Sequence, residues 1–426
     1  MMKILKYPPM GWNSYDCFGN TVTEFEVKAN ADIMAERLQP YGWEYIVLDA
    51  QWYKPINWEE MSDVEGCIHM DEYGRTLPEP SKFPSSKRGN DFTELAAYLH
   101  SKGLKFGLHI MRGIPKKAVR ENRPIFGSNY RAADIANTNS ICDWCPDMYG
   151  VDTGKPGAQD WYDSVVGILA KWGVDFIKAD DMTYPYSSGE IEMLYNAVSK
   201  CGRDIVISLS PGPAPLENVQ HLKTNANMWR ISADFWDKWE HLLKSFKLCS
   251  SWVIHSEQGH WPDADMLPLG KIGIRCGVNG EGGRITRFTP DEQMTMLSLW
   301  CMCHSPLMFG GDLQSLDAWT LSVISNSEVL ELLKTEQSGS EAIHGEDYRV
   351  WTAANGADSY FMAIFNLAEQ TADISVALSS LGLEGRFSIR DLWNHSDEGI
   401  ADEKTSFSVR THGVGLFRLD KIKRED

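Results

Sequence analysis

Apolar and polar positions change period in blocks along the first three-quarters of the chain. Short continuous apolar runs, Tyr45-Ile-Val-Leu-Asp49, Lys105-Phe-Gly-Leu-His-Ile-Met111, residues 175–180, residues 205–210 and Pro306-Leu-Met-Phe309, read as buried strands. Between them, apolar residues recur at helical spacing. Val27, Ala31, Met34 and Leu38 share one face behind a capping box of Thr23 and Glu26, which predicts a helix over 22–39. Phe92, Leu95, Ala96 and Leu99 mark a second helix, stopped by Gly103. Trp161, Val165, Ile168, Leu169 and Trp172 mark a third, and Ile191, Leu194, Tyr195 and Val198 a fourth. Adding runs at 9–14, 228–234 and 251–255 gives about eight strands with helices between them. That predicts an α/β fold, a (β/α)8 TIM barrel over residues 1–336. A doubly wound open sheet is the alternative, but no Gly-rich phosphate loop follows the first strand. Gly277-Val-Asn-Gly-Glu-Gly-Gly283 lacks the lysine of a P-loop and reads as a plain loop.

After a linker at 335–340 the period drops to two. Tyr360/Met362/Ile364, Ile374/Val376/Leu378 and Phe407/Val409 alternate, and turn signals such as Asn355-Gly356 and Glu384-Gly385 separate the runs. Residues 337–426 are therefore expected to form an antiparallel β-sandwich that covers one flank of the barrel and carries no catalytic constellation.

Composition narrows the partners. A net charge of -18, from 41 basic and 59 acidic residues, repels nucleic acid and anionic membrane, so neither is expected as a partner. No run is long enough to span a membrane, and the N-terminus lacks the apolar stretch of a signal peptide. With nine cysteines, this points to a cytoplasmic chain. Cys142 and Cys145 form a lone CxxC pair without a second one, so no metal site and no cofactor are expected. No heptad or long amphipathic face specifies an oligomeric state.

Barrel chemistry sits at the C-terminal ends of the strands. Those ends carry Asn13, Asp49, His109, Asp180, Ser210, Asp234 and Asp312, a ring rich in carboxylates. Within Trp172-Gly-Val-Asp-Phe-Ile-Lys-Ala-Asp-Asp181, Lys178 and Asp180 lie two apart on a strand and point the same way. The ammonium should keep Asp180 ionised and able to attack. Met228-Trp-Arg-Ile-Ser-Ala-Asp234 repeats the plan with Arg230 and Asp234. Two carboxylates from different strands are what glycoside hydrolysis requires. A hard-metal site is the alternative for such a ring.

The chain resembles glycoside hydrolase family 27, the α-galactosidase and α-N-acetylgalactosaminidase family, over nearly its whole length. The residues that carry the resemblance are Pro8-Pro-Met-Gly-Trp-Asn-Ser14, Leu48-Asp49 with Trp52, Lys178-x-Asp180, Arg230-Ile-Ser-Ala-Asp234, Trp261-Pro-Asp-Ala-Asp-Met-Leu267 and Ser305-Pro-Leu-Met-Phe-Gly-Gly-Asp312. The resemblance implies a retaining exo-glycosidase acting on terminal α-D-galactosyl residues of a neutral glycoside. Asp180 would be its nucleophile and Asp234 its general acid/base, with a pKa raised by burial and by a neighbouring carboxylate. Trp12, Asp49, Trp52, His109, Lys178, Ser210, Arg230 and Asp265 would contact substrate, though Asp263 and Asp265 could equally brace Arg230. Three positions depart from the family pattern: Ala50 stands where a second Asp is usual, His109 where Tyr is common, and Ser208-Leu-Ser-Pro-Gly-Pro-Ala214 where galactose-specific members place a Glu. These keep α-N-acetylgalactosaminides and β-L-arabinopyranosides open as alternatives, since β-L-arabinopyranose is galactose without C6.

Overall fold

The computed structural model describes residues 5–57, 59, 61, 66–276 and 282–423. Residues 277–281 of the glycine-rich loop lie outside them. Eight short strands make one sheet: β1 (Met10–Asn13), β2 (Tyr45–Leu48), β3 (Lys105–Met111), β4 (Phe176–Asp180), β5 (Val206–Leu209), β6 (Met228–Arg230), β7 (Trp261–Asp263) and β8 (Leu307–Phe309). Their spatial order is β7-β6-β5-β4-β3-β2-β1-β8, and every neighbouring pair runs parallel. The two ends meet through Leu267, which bridges Phe309 in the parallel sense and accepts from Gly310 N at 2.9 Å. Sequential parallel strands with helical crossovers, closed end to end, make a (β/α)8 barrel. The strands are almost wholly buried, which is why they read as continuous apolar runs rather than alternations.

The outer helices follow their predicted faces. The helix Glu24–Ile33 continues through Met34–Leu38, and Glu26 Oε2 accepts from Thr23 N at 2.9 Å. In Ala158–Trp172 the buried set includes Trp161, Leu169 and Trp172, whereas Val165 and Ile168 are half-buried against the same core.

Two expectations need correction. Residues 251–255 are not a strand. Leu242, Phe246, Cys249 and Trp252 continue one buried face of the helix Trp239–Trp252, and Val253–His255 finish it as a 3-10 turn with Ile254 exposed. The seventh strand is instead Trp261–Asp263, three residues around Pro262. His255 therefore lies outside the barrel wall. The strand expected at 228–234 ends at Arg230, which puts Asp234 in the loop beyond it.

Between β3 and β4 the chain inserts a three-stranded antiparallel sheet, Ile114–Pro115, Ala136–Ile141 and Met148–Val151. Its longest strand, Ala136–Ile141, is mostly polar and exposed, and the other two are too short to show a period.

From Ser340 the strands are antiparallel. They are β9 (Ser340–His344), β10 (Tyr348–Ala354), β11 (Ser359–Asn366), β12 (Ala372–Ala377), β13 (Phe387–Asp391), β14 (Ser396–Ala401), β15 (Lys404–Val409) and β16 (Val414–Lys421). A six-stranded sheet, β9-β10-β11-β16-β13-β14, packs on the pair β12-β15. Along β11 the alternation has two uses. Met362 and Ile364 face the sandwich core, whereas Phe361, Ala363 and Phe365 join the core that includes the barrel. Among the described residues no helix is long and apolar enough to cross a membrane.

Candidate active site

At the C-terminal mouth of the barrel a cavity of about 620 Å³ is lined by Asp49, Lys178, Asp180, Arg230, Asp234 and Asp265, among others. The strand register explains the cluster. His109 pairs with Lys178 and Met111 with Asp180 across β3 and β4, and Lys178 pairs with Ser208 across β4 and β5.

Asp49 Oδ2 takes the Lys178 ammonium at 2.7 Å and the Asn13 amide at 2.8 Å. Burial pushes this carboxyl up, but the charge of Lys178, with His109 adding, more than reverses it and holds Asp49 well below the ordinary carboxylate range. The Lys178 ammonium is affected in the opposite sense. Burial lowers it, the anions Asp49 and Asp180 outweigh that, and the net shift is upward.

Asp180 is held on both oxygens. Ser210 Oγ donates to Oδ1 at 2.8 Å and Asp181 N at 3.0 Å, and His109 Nε2 lies 3.0 Å from Oδ2. Burial raises its pKa, but the His109 hydrogen bond and the positive field of Lys178 win, so the net direction is down. His109 is fully buried, with Nδ1 unpartnered, which places the ring to donate from Nε2. Neither His109 nor Ser210 is on the wall of this cavity; both contact Asp180 from behind it.

Arg230 binds the opposite side. Its Nη2 pairs with Asp265 Oδ2 at 2.6 Å and reaches Asp234 Oδ1 at 3.4 Å. The same Asp265 oxygen accepts from Phe235 N at 2.7 Å, fixing the chain just past Asp234. Burial pushes Asp265 up to about 6, with Asp234 and Asp263 adding and Arg230 opposing. Asp265 thus lines the cavity and braces Arg230 together. Asp234 differs from expectation: its side chain is 67% exposed, so it is held at the rim by Arg230 and not by burial.

The structure also moves both candidate tryptophans off the site. Trp12 is enclosed, donating from Nε1 to Gly311 O at 2.8 Å, and Trp52 donates to His109 O at 2.7 Å. Their rings fill core space and neither lines the cavity. Asp181, next to the candidate nucleophile and also on the cavity wall, lies just past β4 with a left-handed backbone (φ 62°) and pairs with Arg112 at 2.7 Å, which also pairs with Glu190 at 2.6 Å.

Several wall residues were not foreseen: Tyr15 and Asp16, residues 139–143 of the inserted segment, Tyr184 and Trp236. Tyr15 and Asp16 directly follow the N-terminal motif, and that adjacency was the available signal. The insert offered none. Cys142 and Cys145 are buried thiols that do not bond to one another.

Carboxylates from different strand ends converging on one cavity of a closed barrel are an arrangement suited to glycoside hydrolysis. Residues 149–334 match the family described as Alpha galactosidase A, and residues 345–419 the Alpha galactosidase C-terminal beta sandwich domain. A GH27 β-L-arabinopyranosidase from Geobacillus stearothermophilus superposes with a TM-score of 0.94 at 47% identity, covering 99% of this chain and 98% of that one. A variant of that enzyme in complex with arabinose gives 0.94 at 48%, with 98% of each chain covered. An α-galactosidase from Cyamopsis tetragonoloba is 25% identical over 421 residues, covering 97% of this chain and 86% of that one. The chain belongs to glycoside hydrolase family 27.

Proposed function

We propose that the chain is a retaining exo-glycosidase for terminal galactose-configured pyranosyl residues, with Asp180 as nucleophile and Asp234 as general acid/base. One observation carries this reading. A buried carboxylate held low by its neighbours and an exposed carboxyl tethered to Arg230 share one cavity. Oδ2 of Asp180 has one hydrogen bond against two on Oδ1 and keeps the freer lone pairs for attack. It bonds to the anomeric carbon as the bond to the leaving oxygen breaks and Asp234 protonates that oxygen. Water, giving its proton to Asp234, then attacks the same carbon and expels Asp180, so two inversions retain the configuration. Asp49 and Lys178 offer an acceptor and a donor to hydroxyls on the far side of the ring.

The α-D-galactosyl reading has the support of the α-galactosidase relatives. Two observations favour its C6-less counterpart, a β-L-arabinopyranoside: Ala50 gives the wall no side-chain acceptor for a C6 hydroxyl, and the arabinopyranosidase is similar over nearly the whole chain. A panel of 4-nitrophenyl α-D-galactoside, β-L-arabinopyranoside and α-N-acetylgalactosaminide separates these readings by kcat/KM. NMR of the first-formed sugar should show the substrate's own anomer, and the opposite anomer would exclude retention. Asp180→Asn should lower kcat by at least about 10³-fold, and a chelator should have no effect. A cytoplasmic location fits the buried, unbonded thiols of Cys142 and Cys145.

A further inference from the structure

The cavity has a wall that the chemistry above does not use. Trp144 and Tyr184 line it while remaining 54% and 62% exposed. Single exposed hydrophobic side chains are ordinary, but two large aromatic rings on one cavity wall offer a contact surface to whatever enters it. Trp144 is not loosely placed. It lies between Cys142 and Cys145, which are 4% and 3% exposed, so the chain on both sides is buried and the indole projects outward.

Three residues further on, Asp147 anchors the segment to the β2 loop. Its Oδ1 pairs with Lys54 at 2.5 Å, and its Oδ2 accepts from Tyr53 at 3.1 Å and Gln51 at 3.3 Å. Lys54 is fully buried and Asp147 nearly so. Tyr184 comes from the other side, in a turn closed by the Thr183–Tyr186 bridge, four residues past Asp180. The two rings thus stand on separate anchored loops facing the cavity that holds Asp234, the more exposed of the two carboxyls.

We propose that Trp144 and Tyr184 form the leaving-group subsite, binding the flat apolar face of a ring, as in the next pyranose of an oligosaccharide, beyond the scissile bond. This rests on the glycosidase reading above. An aromatic face against the C–H face of a sugar gives apolar contact without demanding a particular hydroxyl pattern. It favours a ring-bearing leaving group over a small one.

The test compares donors that share the same glycone and differ only in the leaving group. They are the glycosyl fluoride, which places no ring there, the 4-nitrophenyl glycoside, and a disaccharide with glucose as leaving sugar. Each is prepared in the α-D-galactosyl and β-L-arabinopyranosyl series and assayed with wild type, Trp144→Ala, Tyr184→Ala and Trp144→Phe. In the alanine variants, kcat/KM on the disaccharide should fall about tenfold more than on the fluoride, or ~1.4 kcal/mol. Trp144→Phe should recover most of that difference. A loss confined to the nitrophenyl glycoside would assign the surface to aryl leaving groups and overturn the sugar assignment. Equal losses on fluoride and disaccharide, or none on either, would overturn the subsite altogether. Failure of the wild-type chain to hydrolyse either fluoride would instead defeat the glycosidase reading. Matched thermal unfolding of the variants separates loss of contact from loss of fold.

Discussion

His109 is the residue whose role changed most between sequence and structure. It was expected to touch sugar, yet it is enclosed and reaches only Asp180, through Nε2 at 3.0 Å. Burial alone would raise the Asp180 pKa; the His109 side chain does most to reverse it, followed by the charge of Lys178. In the proposed mechanism attack requires the ionised form, which the lowered pKa of Asp180 favours. His109→Phe leaves burial less opposed and raises the Asp180 pKa. The acid limb of kcat/KM should then move to higher pH. His109→Tyr, which restores a donor, should move it back. The same sign holds for stability. A depressed carboxylate stabilises the fold fully above its unfolded pKa of about 3.9, and loses that contribution as pH falls through the folded value. Acid unfolding of His109→Phe should therefore begin at higher pH than in the wild type. An acid limb that stayed in place would show that His109 merely fills space.

At the scale of elements, the site depends on how closely adjacent strand-end loops approach. Gly212, after β5, lies against the backbone of Ser232, after β6. A Cβ at Gly212 would sit 2.1 Å from Ser232 O and 2.9 Å from its N. Backbone atoms cannot yield as a side-chain tip can, and overpacking of this kind costs about 1–3 kcal/mol. Ser232 is two residues before Asp234, so Gly212→Ala should push the loop of the proposed acid/base outward. kcat should drop at least about tenfold by the handicap of a misplaced proton donor, and unchanged kcat would disprove the coupling. The elements also show what the sequence made legible. β2, β3, β4 and β5 were readable because strands buried on both faces are mainly apolar runs, broken only at positions such as His109, Lys178 and Ser208. β7 was not readable, because three residues around Pro262 carry no period, and the apolar end of the helix Trp239–Trp252 imitated a strand in its place. The inserted sheet was invisible because Ala136–Ile141 is mostly polar and exposed. Of the site, Asp49, Lys178, Asp180 and Arg230 stood out as charges closing apolar runs. Trp12 and Trp52 misled, since an indole suits a sugar face and a core equally well.

Across the whole molecule, the helix Pro290–Met302 connects the sandwich to the chemistry. It is buried from Thr295 through Met302, as a helix packed on both sides must be. On the sandwich side, Trp393 Nε1 donates to Ser298 Oγ at 3.0 Å and Thr295 Oγ1 to His412 O at 2.7 Å. His412 also stacks on Trp239, with centroids 3.7 Å apart. On the barrel side, Trp300 Nε1 donates to Asp265 O at 2.8 Å, and its ring packs on Phe235 at 5.0 Å. Asp265 pairs with Arg230, and Phe235 follows Asp234, so the route from sandwich to candidate acid is continuous through packed groups. Two domains joined this way should unfold together. Calorimetry should show one cooperative transition for the wild type. Trp393→Ala, which removes a partly buried ring and leaves Ser298 without its donor, should cost about 1–3 kcal/mol and lower the single transition without splitting it. The same variant should lower kcat modestly, because loosening the helix relaxes Trp300 against Asp265. If the sandwich melted separately while the barrel kept its own transition and full turnover, the C-terminal domain would be a passenger and not a buttress of the site.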